Sequence, residues 1–267
     1  MKKNLISGIV IGVISIVLNV FGYLFAYYKN EWFSGNKTLS IVFFIIGSLL
    51  LLISFWFIHL YICEKKNKKK MNIRQLSIIS SLAAITVILY YFLKFKLPFF
   101  PSFLDIQISE VPAIIAGFIY GPTSGILIIL IRFFLKVPSS MTAGVGEMAD
   151  LIIGIIIVLI TALIYKKHRT LKGALMASMI GIIVSVLVAC LCNYLILIPA
   201  YMHFMGLSYD TLAAMMAYID GVNANNFMTY YIFLAVIPFN LLRFLLVFIV
   251  VFLLYKNMHR LFDLISE

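Results

Sequence analysis

The chain has 267 residues, of which 64% are hydrophobic and 12% are charged, and its mean hydropathy is +1.10. Soluble globular domains carry about 25% charged residues, so this composition excludes a soluble domain and indicates an integral membrane protein. The formal net charge of +11 comes from Lys and Arg between the apolar stretches. That is the charge bias of membrane-protein loops rather than a nucleic-acid-binding surface.

Two apolar stretches open the chain, over residues 5–28 and 39–63. A helix needs about 20 residues to cross a bilayer, so residues 1–63 predict a two-helix transmembrane hairpin. The first stretch follows the letters MKK and could be a signal peptide. Its apolar run is about twice the usual length, however, and it lacks a small-residue cleavage site. We therefore expect a retained anchor, followed by a basic cytoplasmic linker over 64–74.

Residues 75–267 predict a domain of six helices. The Gly121-Pro122 pair interrupts one long apolar stretch, so two short helices fit this stretch better than one span. The six predicted helices cover 75–93, 111–120, 124–135, 144–165, 172–198 and 231–256. Together with the hairpin they give an all-α integral membrane protein of eight helices, in which 199–228 is a loop.

The distribution of the 21 Lys and Arg residues predicts the orientation. Most of them lie near the N-terminus, in the linker, in the segment 166–172 and near the C-terminus, whereas the loop 199–228 has none. Basic residues concentrate on the cytoplasmic side of a membrane protein. We therefore expect a multi-pass protein of the cell membrane with both termini in the cytoplasm.

Polar side chains of the six-helix domain gather in its outer half and middle. Glu147 and Asp150 are three residues apart and share a helix face, as do Asn240 and Arg243. Placing an arginine at the centre of a membrane helix costs about 2.5–3.5 kcal/mol of insertion free energy. The position of Arg243 therefore requires a structural or functional explanation. With Asn193 of the fifth helix, these residues predict an outward-open, largely apolar cavity that suits a small planar ligand.

The charged residues within the helices also have a structural interpretation. Glu147 or Asp150 could form an ion pair with Arg132 or Arg243, because intramembrane charges usually pair. Arg132 lies about one turn from its helix end, so we expect its side chain to extend to the membrane surface.

Three other polar residues have equally simple interpretations. Asn193 could make an interhelical hydrogen bond and nothing more, a common use of buried asparagine. Asp105 and Glu110 could be solvated charges of an outside loop.

Several segments in a fixed order carry a family resemblance. They are FLDIQISEVPAIIAGFIYGPTSG (103–125), GVGEMADLIIG (144–154), CNYLILIPAY (192–201) and IPFNLLRFL (237–245). On these segments the chain from Lys70 to the C-terminus resembles the riboflavin-specific S component, the substrate-binding subunit of energy-coupling factor (ECF) vitamin transporters. The N-terminal hairpin is extra to this resemblance.

The resemblance implies six helices around a vitamin site near the outer face, capped by the first outside loop. Carried over by position, Asn193, Asn240 and Arg243 would contact the polar ring edge of the flavin. The residues expected in the site are Leu104, Asp105 and Gln107 of the capping loop, Glu147, Asp150, Asn193, Asn240 and Arg243.

The resemblance also implies partners, namely a membrane coupling protein and two cytoplasmic ATPases, because an S component has no ATPase of its own. Small residues on the first helix of the domain are expected to contact the coupling protein, at the small-xxx-small spacing of helix interfaces. They are Ser77, Ser80, Ser81 and Ala84.

The sequence departs from the family pattern at the expected site. The family usually has lysine where Arg243 stands and asparagine where Asp150 stands, and its loop typically reads Lys-Ile-Asp-Phe-Ser-Asp where this chain has Asp105-Ile-Gln-Ile-Ser-Glu110. Arginine keeps the charge of lysine but changes the geometry. These departures leave open another vitamin or a modified flavin, and the tolerance for a phosphorylated flavin.

Two other classes of function stay open. A membrane-embedded lipid enzyme needs a cluster of carboxylates or histidines, but His59, His168, His203 and His259 fall in four separate places. A structural subunit would use the polar residues only for packing. We expect no enzyme activity, no metal site and no cofactor, with riboflavin as the transported ligand. The sequence has no Walker-type glycine loop, so energy for transport must come from partners.

Overall fold

The computed structural model describes residues 73–266 apart from 102 and 141–143, with residue 204 and the stretch 256–266 as backbone only, and isolated residues before 73. The chain divides into two compact units, Met1–Leu76 and Ser77–Glu267. In the first unit the described residues include two short antiparallel strands, β1 (Lys29–Asn30) and β2 (Phe33–Ser34). The predicted hairpin and linker lie otherwise outside the described residues and remain predictions.

From residue 73 onward the chain is mainly helical. The α-helices are α1 (Ile73–Phe92), α2 (Val111–Tyr120), α3 (Pro122–Lys136), α4 (Val145–Lys167), α5 (Leu171–Cys192), α6 (Ile198–Met205), α7 (Tyr209–Ala214), α8 (Phe227–Tyr230) and α9 (Ile237–Ser266). The strands β3 (Lys94–Lys96) and β4 (Asp105–Gln107) lie between α1 and α2. A 3₁₀ turn, Val137–Ser139, follows α3, and π-helical segments cover Asn193–Leu197 and Tyr231–Val236.

Five helical stretches in the described part of the chain are long and apolar enough to cross a membrane. They are Ile73–Phe92, Pro122–Ser139, Val145–Lys167, Leu171–His203 and Phe227–Tyr255. The buried helix α2 is shorter. These six elements confirm the six helices predicted after residue 75 and the all-α membrane architecture.

One predicted boundary is wrong. The loop was expected to begin at Pro199, but helix continues through it as α6 and ends at Met205, where Gly206 takes a left-handed conformation with a φ of 66°. Further helix, α7, lies within the predicted loop. Pro199 fails to end the helix because it follows a π-helical segment, where the backbone already departs from the regular α-helical hydrogen bonds that proline would interrupt.

The short helix α2 forms the centre of the helical domain. Every residue from Val111 to Ile119 is buried, and α2 packs against α3, α4 and α9. Gly121 makes the turn into α3 with a φ of 100°. Residues other than glycine rarely adopt this backbone conformation. Gly125 then allows close contact, since a Cβ there would lie 2.4 Å from the carbonyl oxygen of Ala113.

The two π-helical segments share a sequence feature. Each is followed directly by an Ile-Pro pair, Ile198-Pro199 after the first and Ile237-Pro238 after the second. Proline cannot donate a helical hydrogen bond, and its ring clashes with the carbonyl one turn earlier. The wider π turn relieves that clash, and such segments occur often at functional sites.

Candidate functional site

The chain between α1 and α2 folds back as a two-stranded hairpin, residues 94–107, which we call the capping loop. β3 pairs antiparallel with β4, so that Lys94 lies opposite Gln107 and Lys96 opposite Asp105. The two lysines are exposed, whereas Gln107 is buried. At least one polar side chain of the second strand, that of Gln107, therefore points into the protein.

Aromatic contacts fasten the capping loop to the helices. The ring of Phe100 meets Phe239 of α9 edge to face, with 5.4 Å between centroids. The ring of Phe103 makes the same type of contact with Tyr201 of α6 at 5.7 Å, and lies 5.9 Å from the ring of Tyr231. These contacts bring the loop onto the two helical stretches that carry the predicted asparagines.

Next to β4, five charged side chains form a buried group that we call the ion cluster. Its members are Glu110 at the start of α2, Arg132 and Lys136 of α3, Asp150 of α4 and Arg243 of α9. Each is at most 8% exposed. Buried charges are costly unless opposite charges and hydrogen bonds compensate them, and here three cations share two carboxylates.

Asp150 contacts all three cations of the ion cluster. Its carboxylate accepts from Nη2 of Arg243 at 2.7 Å, from Nη2 of Arg132 at 3.0 Å and from Nζ of Lys136 at 3.2 Å. Nε2 of Gln107 also donates to it, at 3.1 and 3.2 Å to its two oxygens. One carboxylate thus connects the capping loop to α3, α4 and α9.

Glu110 completes the cluster from the start of α2. Its Oε1 accepts from Nη1 of Arg132 at 2.9 Å and also from Nη2 of Arg243. Nη1 of Arg132 donates in addition to the hydroxyl of Ser109 at 2.6 Å. Both arginines are therefore held by both carboxylates, which fixes their planes.

These contacts decide the structural interpretations of the charged residues. The pairing of Asp150 with Arg132 and Arg243 is confirmed. The expectation that Arg132 extends to the membrane surface is wrong, because it is 2% exposed and its partners hold it inside. Glu110 is not a solvated loop charge either, since it is fully buried.

Glu147 and two loop residues have other surroundings. Oε2 of Glu147 accepts from the hydroxyl of Ser140 at 2.5 Å, and that hydroxyl accepts from the backbone N–H of Gly144 at 2.8 Å. Glu147 thereby supports the turn before α4. Leu104 and Asp105 are half-buried, and Oδ1 of Asp105 is buried without a hydrogen-bond partner among the described residues.

Of the two predicted asparagines, one lies in a π-helical segment and the other lies one turn after such a segment. Asn193 is the first residue of one segment, and its Nδ2 donates to the carbonyl of Ala189 at 2.8 Å. Nδ2 of Asn240 donates at 2.8 Å to the carbonyl of Val236, the last residue of the other segment. Both amides are buried. The hydroxyl of Tyr231 donates to Oδ1 of Asn193 at 2.5 Å, so the expected interhelical hydrogen bond is present.

Sequence reasoning missed two parts of this arrangement. Glu110 was considered only as a solvated charge, and Arg132 was expected to extend to the membrane surface unless it paired with Glu147 or Asp150, although both are central to the ion cluster. Tyr231 was not singled out, although it contacts Asn193. The repeated Ile-Pro pairs were a usable signal, since a proline inside an apolar helical run marks a local distortion.

Comparison with known proteins places this geometry in a family. Residues 74–255 match the family described as ECF transporter, substrate-specific component. That range covers more than half of the chain and contains every residue of the site. The chain belongs to this family. It is a multi-pass membrane protein that serves as the substrate-binding subunit, or S component, of an ECF-type importer, and it is not an enzyme.

Individual relatives of this S component carry a more specific name. It is 34% identical over 194 residues to the riboflavin transporter RibU of Staphylococcus aureus (strain TCH60), covering 72% of this chain and 95% of that protein. It is 35% identical over 138 residues to the riboflavin transporter FmnP of Bacillus subtilis (strain 168), covering 51% and 72%.

A solved structure supports the fold of this S component. The structure described as "Structure and mechanism of the S component of a bacterial ECF transporter" aligns with a TM-score of 0.55 and 30% identity, over 70% of this chain and 96% of that one. The part of this chain that exceeds the S-component fold corresponds in length to the predicted N-terminal hairpin and linker.

Proposed function

We propose that this S component binds riboflavin from outside the cell and presents it for ATP-driven uptake by partner subunits. The observation that carries this proposal is the 34% identity to a riboflavin transporter along 95% of that relative's length. Likeness over nearly the whole of a relative, rather than over one motif, supports a shared ligand as well as a shared fold.

The polar groups of the site suit the ring edge of a flavin. That edge is an imide, in which an N–H lies between two carbonyl groups. Asn193 and Asn240 each use one amide N–H on their own helix, which leaves each a second N–H and acceptor capacity. Two such amides can both donate to a carbonyl and accept from the imide N–H.

Arg243 offers a further donor. Its Nη2 is held by Glu110 and Asp150, whereas its Nε is buried and has no hydrogen-bond partner among the described residues. An unsatisfied buried donor costs about 1–3 kcal/mol, which is a reason to expect a ligand acceptor at Nε. In this proposal Glu110 and Asp150 orient the guanidinium, and a flavin carbonyl receives the hydrogen bond.

The capping loop supplies the remaining part of the proposed site. Phe103 brings aromatic surface close to Tyr201 and Tyr231, and Phe100 does so at Phe239, which suits a flat tricyclic ring. Leu104 and Asp105 lie on the same loop. In this proposal Gln107 and Asp150 hold the loop in place, and Glu147 shapes the turn before α4.

We propose the same partners that the family resemblance implies, a membrane coupling protein and two cytoplasmic ATPases. The candidate contact residues on α1 are Ser77, Ser80, Ser81 and Ala84, all of which are exposed. The hydroxyl of Ser81 donates to the carbonyl of Ser77 at 3.0 Å, which turns a polar group back onto its own helix and leaves a surface suited to close helix contact. Both termini are proposed to lie in the cytoplasm.

The direct test is a riboflavin titration of the purified full chain in detergent, followed by quenching of the flavin's own fluorescence. We expect saturable quenching for the wild type, and a loss of affinity of at least about tenfold for Asn240→Ala, which removes one hydrogen-bonding side chain. Ser178→Ala is a matched control, because Ser178 is a buried polar residue of α5 whose hydroxyl donates to the carbonyl of Ala174 on its own helix.

The other outcomes identify the alternatives. Folded wild-type protein that does not quench riboflavin fluorescence would refute the riboflavin assignment. A screen of other vitamins and of modified flavins, including a phosphorylated one, would then find the ligand of this S component. Failure of every small molecule would instead favour a structural role.

A further inference from the structure

Tyr231 joins the two π-helical segments of the site. It is the first residue of the second segment and is fully buried, and its hydroxyl donates to Oδ1 of Asn193, the first residue of the other segment, 38 positions earlier. We propose that Tyr231 is a positioning residue that fixes the Asn193 amide and thereby sets the preference of the site for a ligand with an imide edge. This inference rests on the proposed riboflavin function.

The hydrogen bonds of Asn193 define what its amide can offer a ligand. Oδ1 accepts from Tyr231, and Nδ2 donates to the carbonyl of Ala189. Both contacts require the same orientation of the amide. An asparagine amide has two N–H donors and two acceptor lone pairs, so one donor and one lone pair remain for a ligand, and the two contacts fix which end of the amide carries each. That pair is complementary to one carbonyl and the N–H of an imide.

The ring of Tyr231 is held in place independently of its hydroxyl. It stacks on Phe227 with 5.2 Å between centroids and an interplanar angle of 12°, and it also contacts Phe103 of the capping loop. A phenylalanine at this position keeps the ring contacts. The contribution of the hydroxyl can therefore be separated from that of the ring.

Without the hydroxyl, a single hydrogen bond from Nδ2 would hold the Asn193 amide. The last side-chain torsion of asparagine has broad energy minima, so the amide could then turn and present its donor and acceptor less consistently. Riboflavin would bind more weakly. The site would also discriminate less against a flavin that lacks the imide N–H.

The test compares the wild type with Tyr231→Phe, using riboflavin and riboflavin methylated on its imide nitrogen as ligands. Tyr165→Phe is the matched control. Tyr165 is also a buried tyrosine with a hydroxyl partner, Tyr255 at 3.0 Å. It lies 15 residues from Asp150 along α4, which is about 22 Å at 1.5 Å per residue, so its hydroxyl is far from the ion cluster.

We expect Tyr231→Phe to weaken riboflavin binding about tenfold, the effect of one well-formed hydrogen bond, while Tyr165→Phe binds like the wild type. The ratio of the two Kd values, methylated over unmethylated, should be large in the wild type and fall markedly in Tyr231→Phe. Thermal unfolding of both variants checks that each is folded.

Two results would overturn the inference. An unchanged riboflavin affinity of Tyr231→Phe would show that the hydroxyl is not needed. A weaker affinity with an unchanged ratio of Kd values would show that Tyr231 supports the fold without positioning the amide. A wild-type protein that fails to bind riboflavin would instead refute the proposed function, and this inference with it, so the two failures are distinguishable.

Discussion

Arg243 would be expensive within an apolar helix if it stood alone, and the ion cluster explains why it is tolerated. It adds a third cation to two carboxylates that already have partners, because Glu110 also pairs with Arg132, and Asp150 with Arg132 and Lys136. Removing Arg243 therefore leaves no carboxylate without a cation. Removing Asp150 would leave three cations with one carboxylate.

The two leucine substitutions at these positions should consequently differ. We expect Asp150→Leu to lower the free energy of unfolding by about 3–5 kcal/mol, the usual effect of breaking a buried ion pair, and to impair folding. Arg243→Leu should fold but lose riboflavin binding. Thermal unfolding in detergent and the quenching titration measure the two effects. A variant Arg243→Leu that unfolds while Asp150→Leu stays folded would contradict this account and favour a structural role for the arginine.

The sequence alone predicted only some of the ion pairs in this cluster. Charges inside apolar helices predict ion pairs, and Asp150 with Arg243 was among the candidate pairs. Arg132 was misjudged because distance from a helix end, counted along the chain, does not show where neighbouring helices place their carboxylates. Two of the departures from the pattern of the family that the sequence resembles, at Asp150 and Arg243, are in direct contact at 2.7 Å.

At the level of elements, Gln107 attaches the capping loop to the ion cluster, and its Oε1 also accepts from the hydroxyl of Ser109 at 3.3 Å. Gln107 donates to both oxygens of Asp150, and Asp150 keeps its three cations without it. Gln107→Leu should therefore preserve the fold and loosen the loop. We expect riboflavin to dissociate about tenfold faster, since a hydrogen bond to a charged group contributes about 1.5–3 kcal/mol, and affinity changes of this kind appear mainly in the dissociation rate.

Stopped-flow displacement of bound riboflavin measures that rate. Lys94→Ala is the control, because Lys94 lies opposite Gln107 in the hairpin but is exposed. Equal dissociation rates for Gln107→Leu and the wild type would show that the aromatic contacts alone hold the loop.

Hydropathy located every long helix after residue 75, because a bilayer demands about 20 apolar residues wherever the chain crosses it. It could not locate the π-helical segments, which depend on one extra residue per turn and leave composition unchanged. The sequence signal for these segments was the proline that follows each of them, Pro199 and Pro238. The pairing of β3 with β4 also lay beyond the sequence, since three-residue strands give too short a pattern to read.

For the whole molecule, the exposed small residues of α1 predict where ligand capture is coupled to transport. Ala84→Leu adds bulk to a surface that is expected to make close helix contact. We expect the purified variant to bind riboflavin like the wild type, while cells that carry it with the partner subunits lose riboflavin uptake. Ile85→Leu is the control, because Ile85 is the exposed neighbour and this change adds no bulk.

If the Ala84→Leu variant takes up riboflavin like the wild type, the surface that contacts the coupling protein lies elsewhere on the molecule. Loss of riboflavin binding by this variant would instead mean that α1 contributes to the ligand site.

The ion cluster also bears on how the chain enters the membrane during synthesis. Glu110, Arg132, Lys136 and Asp150 emerge from the ribosome early, and these two carboxylates and two cations neutralise one another within α2, α3 and α4. Arg243 follows 93 residues after Asp150. The helix that carries the third cation therefore follows, along the chain, the elements that hold both of its carboxylate partners.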